Sequence, residues 1–399
     1  MCTTFLIAKT SKICYNIGMI YLDHAAATPV SEKAKKAMGP YLSELFFNPS
    51  ASYLSATNVR HDYEAAKDRI GHVIGAKGAD IIITAGATES INLAFNALKP
   101  DAKVLISAIE HASVFETAKK FNCEEIAVDK FGKVLIDDLK RKLTKDTEMV
   151  SVSLVSNELG TIEPIAEIAE IVKNERLRRK LAGETTPIYL HCDASQGLGL
   201  IEVKVGRLGI DLLTINSAKI YGPKGIGALY VGHNVKMQPL IVGGGQEMGL
   251  RSGTENVVGV MGFATAIEEA EKHLNGERKR LATLRKIFIN ELSKIPEIIF
   301  LGNPKNQLVS FIPFSIPGVD AERLIFTLEN EEIYVSTGAA CSASKGIKSR
   351  ALTAIGLNDE EIAGSLRITL GKLNDEENIK IAAEKIVAAI KTEQARNRE

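Results

Sequence analysis

From about residue 78 onward, short apolar runs alternate with stretches whose apolar residues recur every three or four positions, and this rhythm leaves few folds open. Ile81-Ile82-Ile83 precedes a helical pattern from about Glu89 to Leu98, and Val104-Leu105-Ile106 precedes another near Ala112 to Phe121. The rhythm continues through Met149 to Val155, an amphipathic stretch from Ile165 to Leu181, the run Ile188-Tyr189-Leu190-His191-Cys192-Asp193, and Leu212 to Ile215. Such repetition needs crossover connections, so it predicts an α/β fold with a mainly parallel sheet covered by helices on both faces. After about Glu268 the character changes to a charged helix (Lys279 to Leu292), strands at Leu308 to Ile312 and Ser365 to Leu370, and a terminal helix from Glu376 to Ile390. That predicts a smaller α+β domain with a polar tail, Thr392 to Glu399, that frays. The expected division is an N-terminal extension (1–18), a large domain (19–268) and a small C-terminal domain (269–399).

A chain of 399 residues has room for two sizeable cores, and its 45% apolar and 25% charged residues suit an ordinary globular protein. The 49 basic and 49 acidic residues cancel, so no overall field recruits nucleic acid or an anionic membrane. Five cysteines (Cys2, Cys14, Cys123, Cys192, Cys341) are odd in number and contain no CxxC pair, which argues against a disulfide framework and a structural zinc site. No metal site is expected, and a reducing cytoplasm fits best. The run Phe5 to Ala8 is too short for a membrane span or a secretory signal.

Several residues fall where chemistry would put them. Lys219 lies in Asn216-Ser217-Ala218-Lys219-Ile220-Tyr221-Gly222-Pro223-Lys224-Gly225, a lysine before a glycine-rich turn, and Asp193 ends an apolar strand upstream. Alone, the lysine reads as solvated and the aspartate as a helix cap or turn former. Together they meet the needs of a pyridoxal phosphate (PLP) site, a lysine for the aldehyde and an acid for the pyridinium nitrogen. Thr84-Ala85-Gly86-Ala87-Thr88-Glu89 follows a strand and opens a helix, where amides and hydroxyls can meet an anion or simply cap the helix. Gly243 to Thr254 is too glycine-rich for regular structure. Cys341 sits among small residues, Ser336 to Gly346, in a stretch expected to form a mobile loop. Arg367 places a guanidinium in a half-buried strand, where it needs a partner: a carboxylate ligand or a structural salt bridge.

The order strand-acid, strand-lysine, Gly-Pro-Lys-Gly resembles the fold-type I PLP enzymes, and the wording KIYGPKGIGALYV, with GATES at 86–90 and YLDHAAATP at 21–29, resembles the cysteine desulfurases. The likeness runs from about residue 20 to 390. It implies a class V aminotransferase-type fold and PLP contacts from Ala87, Thr88, Asn157, Asp193, Gln196, Asn216, Ser217 and Lys219, with Thr254 reaching the phosphate of a neighbouring subunit in a homodimer. It assigns His111 to ring stacking and proton transfer, Arg367 and Asn157 to the substrate, and Cys341 to attack on the sulfur of L-cysteine. L-alanine would be released, and the resulting persulfide would pass to a sulfur-acceptor protein, an iron-sulfur scaffold or a thiolation enzyme. Two rivals stay open: another substrate such as selenocysteine on the same cofactor, and a non-catalytic binding platform on the same fold.

The chain departs from that family in two motifs. Asn216-Ser217-Ala218-Lys219 stands where Ser-x-His-Lys is usual, which removes an imidazole and predicts weaker phosphate affinity. Tyr53 stands near a usual histidine, which puts substrate-side contacts in question. The segment Glu175 to Thr186 also looks long, and its basic run Arg176 to Lys180 is expected to be a solvated helix face.

Overall fold

A computed structural model describes residues 18–337 and 348–396. Cys341 therefore lies outside the described residues, as does nearly all of the expected N-terminal extension. The chain enters through β1 (Ile20–Tyr21). It then lays down β2 (Ile81–Thr84), β3 (Lys103–Ser107), β4 (Asn122–Ile126), β5 (Thr147–Ser151), β6 (Tyr189–Asp193), β7 (Leu212–Asn216) and β8 (Gly227–Val231). These last seven form one sheet in the order β2-β8-β7-β6-β5-β3-β4. All neighbours from β7 to β4 are parallel, and β8 runs antiparallel to both β2 and β7. Every residue of β2, β5 and β6 is buried, as expected of strands covered on both faces; β2 is apolar in three of its four residues, while β5 and β6 also bury Thr147, Glu148, Ser151, His191 and Asp193.

The sheet reverses its winding between β3 and β5, because β4 lies on one side of β3 while the later strands add on the other. In open α/β sheets a crevice forms at such a point, outside the carboxyl ends of the strands. The segments leaving β3 and β5 lead to His111 and Asn157.

β9 (Ile299–Phe300), β10 (Phe311–Ser315), β11 (Ile333–Tyr334) and β12 (Ser365–Thr369) complete the chain. β10 pairs antiparallel with β9 and β12, and β11 pairs with β1. One helix, Val257–Leu292, spans 36 residues and passes straight through the position where the sequence expectation set the 268/269 boundary. Its first half (Val260, Phe263, Ala264, Ile267) packs into the core of the large sheet, and its second half (Leu281, Leu284, Phe288, Leu292) packs into the C-terminal core. The compositional change near Glu268 thus marks where one helix passes from one core to the other. Ile20 and Leu22 also pack in the C-terminal core, so the start of the expected large domain belongs physically with the small one.

Two surface expectations are corrected. The terminal helix continues to Arg396, and Glu393, in the supposed frayed tail, is only 3% exposed and pairs with Arg323 at 2.7 Å. The basic run is not a plainly solvated face: Arg179 is 2% exposed, donates to the Glu175 carboxylate at 2.7 Å, and donates to the carbonyls of Thr144, Thr147, Thr186 and Pro187. No described helix is long and apolar enough to cross a membrane.

Candidate active site

The helix Ala87–Phe95 starts directly after β2, with Gly86 as its N-cap and no side chain capping its first amides. Those amides carry the positive end of the helix and have no partner within the helix itself. Gly86 adopts φ 147°, a conformation that favours glycine, and a Cβ there would meet nothing within 4 Å, so the backbone faces open space. Behind it, a Cβ on Gly227 would come within 2.8 Å of Gly86, which explains glycine at the start of β8. Ala87, Thr88, Asn216, Ala218 and Lys224 line a single open cleft at this helix end.

Asp193 ends β6, is 8% exposed, and accepts the Ser195 amide at 2.9 Å. Lys219 closes the short 3-10 turn Ser217–Lys219 that follows β7, the strand beside β6. Its Nζ donates to the Ala26 carbonyl at 2.6 Å. Asn216 caps the turn, its Oδ1 accepting the Ala218 amide at 3.1 Å. Ser217 is wholly buried and does not line that cleft, and its Oγ lies against Gly222, where a Cβ would come within 2.0 Å. The cleft-lining Asn216 is the polar side chain of this turn that reaches the open space. Tyr221, at φ 66°, bends the chain sharply just past the lysine.

His111 caps the helix Ala112–Ala118 after β3, its Nδ1 accepting the Ser113 amide at 3.1 Å. The residue is exposed overall, yet loss of water around the imidazole depresses its pKa below the usual 6.5. Asp193 opposes that shift, and the positive charges of Lys219 and Arg367 reinforce it. The acid, the lysine and the arginine thus all act on this one imidazole. Next to it, Glu110 bridges the switch point. Its carboxylate accepts the Ser153 amide at 2.7 Å and the Ser153 hydroxyl at 2.5 Å, and burial pushes its pKa up to about 8.

Arg367 lies in β12, a strand whose residues are all buried. Its Nη2 donates to Asp23 Oδ1 at 2.7 Å and its Nη1 to the Asn157 carbonyl at 2.9 Å. Gln196 donates to the Ala25 carbonyl at 3.0 Å. Sequence reasoning quoted the stretch Asp23 to Thr28 only for its likeness to other openings, yet it is the strap that ties the site together. Asp23 meets Arg367, Ala25 meets Gln196, Ala26 meets Lys219, and Thr28 meets Lys224 and Ala218. No apolar periodicity marks the strap; its one sequence signal was Asp23, a charge directly after a strand. Thr254 is exposed and lies outside the cleft of its own chain.

The donor set suits an anion at the Ala87 helix end, a protonated ring nitrogen facing Asp193, and a carboxylate near Arg367, with a primary amine among them. The family described as Aminotransferase class-V matches residues 20–381. A protein of Archaeoglobus fulgidus named Cysteine desulfurase IscS 1 is 41% identical over 372 residues, covering 90% of this chain and 94% of its own. Cysteine desulfurase IscS of Dictyoglomus turgidum is 40% identical over 387 residues, 94% of this chain and 95% of its own. A solved structure titled NIFS-LIKE PROTEIN superposes with a TM-score of 0.86 at 30% identity, covering 94% of this chain and 100% of that one. On the match over nearly its whole length and on these relatives, the chain belongs to the class-V aminotransferase family.

Proposed function

We propose that this protein is a PLP-dependent cysteine desulfurase that converts L-cysteine to L-alanine and leaves the sulfur on Cys341. The observation that carries the reading is an uncapped helix end opening on a cleft lined by Asn216 and Ala218, with Lys219 in the same short turn and Asp193 at the end of the neighbouring strand. Relatives named cysteine desulfurase and a neighbour titled SspA in complex with cysteine, 29% identical with a TM-score of 0.76, support the substrate.

PLP, when bound, supplies an aldehyde for a primary amine and an electron sink for the bond breaking at the substrate α-carbon. The helix end at Ala87 and Thr88, with Asn216 and Lys224 beside it, would hold its phosphate. Asp193 would keep the ring nitrogen protonated, and His111 would stack on the ring. Arg367 would receive the α-carboxylate and so orient the α-C–H bond toward Lys219, which removes and returns the proton. His111, kept neutral near pH 7 by its depressed pKa, can accept or pass on a proton in the same space.

The Cys341 thiolate then attacks the substrate sulfur. A sulfur–sulfur bond forms, the carbon–sulfur bond breaks, and its electron pair stays on the β-carbon, where a proton completes the methyl group of alanine. The persulfide passes to an acceptor protein, an iron-sulfur scaffold or a thiolation enzyme. The chain acts as a homodimer in which Thr254 serves the partner's phosphate site. Exposed Leu42, Phe46, Leu54, Val242 and Met248 support this, as apolar side chains that a partner could cover.

The test is alanine formation from L-cysteine by PLP-supplemented protein under reductant, beside Cys341→Ala. Alanine from the parent and not from the variant is expected. No alanine from either, with PLP bound, would remove cysteine as the substrate.

A further inference from the structure

The buried pair between Arg367 and Asp23 assigns a task to a residue outside the reacting groups. We propose that Asp23 is a positioning residue, the built-in counter-ion of Arg367, which holds the guanidinium for the substrate carboxylate and limits how tightly that carboxylate binds. The inference rests on the reading that Arg367 receives the α-carboxylate.

The side chain of Arg367 is 5% exposed and that of Asp23 16%. A guanidinium buried to that extent without a counter-charge would be strongly disfavoured, so the fold before substrate arrives needs an internal anion. Asp23 supplies it at 2.7 Å, while the Asn157 carbonyl fixes the neighbouring nitrogen at 2.9 Å. The two contacts come from different elements, the strap and the segment after β5, and together they set the plane of the fork.

Asp23 is itself held firmly. It bridges Thr369, whose amide donates to the Leu22 carbonyl at 2.7 Å, and the Tyr21 hydroxyl lies 2.8 Å from the Asp23 carbonyl. Three residues further along the strap, the Ala26 carbonyl receives Lys219. The strap thus fixes the spacing between the group that would hold the carboxylate and the group that would take the α-proton. An incoming carboxylate meets a cation already shared with Asp23. The acid therefore improves orientation and weakens net attraction.

These two effects separate in two variants. Asp23→Asn keeps an oxygen acceptor for the guanidinium and loses the charge, so the KM for L-cysteine should fall by roughly fivefold with kcat not raised. Asp23→Ala loses both, so KM should rise. The same ordering should appear in the affinity of the PLP-loaded proteins for L-alanine, read by visible absorbance, while affinity for cysteamine, which has no carboxylate, stays at the parent value. A KM for Asp23→Asn equal to or above that of the parent, or a parallel change with cysteamine, overturns the proposal. Should the parent release no alanine from L-cysteine, the desulfurase reading fails, and the L-alanine titration still decides the role of Asp23. Should Asp23→Ala fail to fold, the Asp23→Asn measurements decide it alone.

Discussion

Lys219 shows how a single residue can be legible in sequence for its chemistry and not for its surroundings. The glycine-rich turn after it and the acid 26 positions before it were enough to suggest the cofactor class. Its contact with the Ala26 carbonyl was not, because that contact is made across 193 residues of chain. Asp193 was readable for the same reason as Lys219, since it ends an apolar run. Ser217 is buried while Asn216 lines the cleft, a difference a motif leaves open because it gives the order of side chains and not the direction in which a tight turn points them. Removing the amine at 219 tests the role most simply: Lys219→Ala should lower alanine formation by about 10²- to 10⁴-fold. Circular dichroism should remain at the parent signal, and a variant with near-parent turnover would reassign the base.

Among the elements, those with continuous apolar runs were readable and those shaped by tertiary contacts were not. The stretch Ile165–Leu181 was placed correctly at both ends, with Ile165, Ile168, Ala169 and Val172 buried in its first half. β4, with the sequence Asn-Cys-Glu-Glu-Ile, is a partly exposed edge strand and carries no such signal. β10 begins three residues later than expected, at Phe311, and contains Pro313, a residue that argues against a strand when read alone. The helix Val257–Leu292 was divided because its two halves face different cores. Arg179 explains why a basic run can be structural: its buried guanidinium donates to four carbonyls and pairs with Glu175. Arg179→Ala should therefore cost about 3 kcal/mol in urea unfolding. A loss below about 0.5 kcal/mol, the range of ordinary surface changes, would return this segment to the solvated face first expected.

For the whole molecule, the site exists because two cores are joined by a strap and a shared helix, and only the second of these left a trace in composition. The same packing buries acids away from solvent. Glu163 is 4% exposed, with one oxygen accepting the Val134 amide at 2.9 Å, and burial pushes its pKa up to about 8 from 4.5. The folded state thus keeps a proton that the unfolded chain releases. Its contribution to stability is fully present below about pH 4.5 and is lost as pH rises toward 8, at up to about 1.4 kcal/mol per unit. Glu163→Gln, which cannot ionise, should flatten the fall in unfolding free energy between pH 5 and 8. An unchanged slope would mean that the carboxyl is already ionised in the fold.

The central claim is that sulfur leaves L-cysteine by transfer to Cys341, and intact-protein mass spectrometry after a single turnover measures it most directly. The account predicts the mass of one added sulfur atom per chain, mapped to Cys341, with one alanine released for each. Alanine released with no sulfur on Cys341, or at an equal rate from Cys341→Ala, would contradict it.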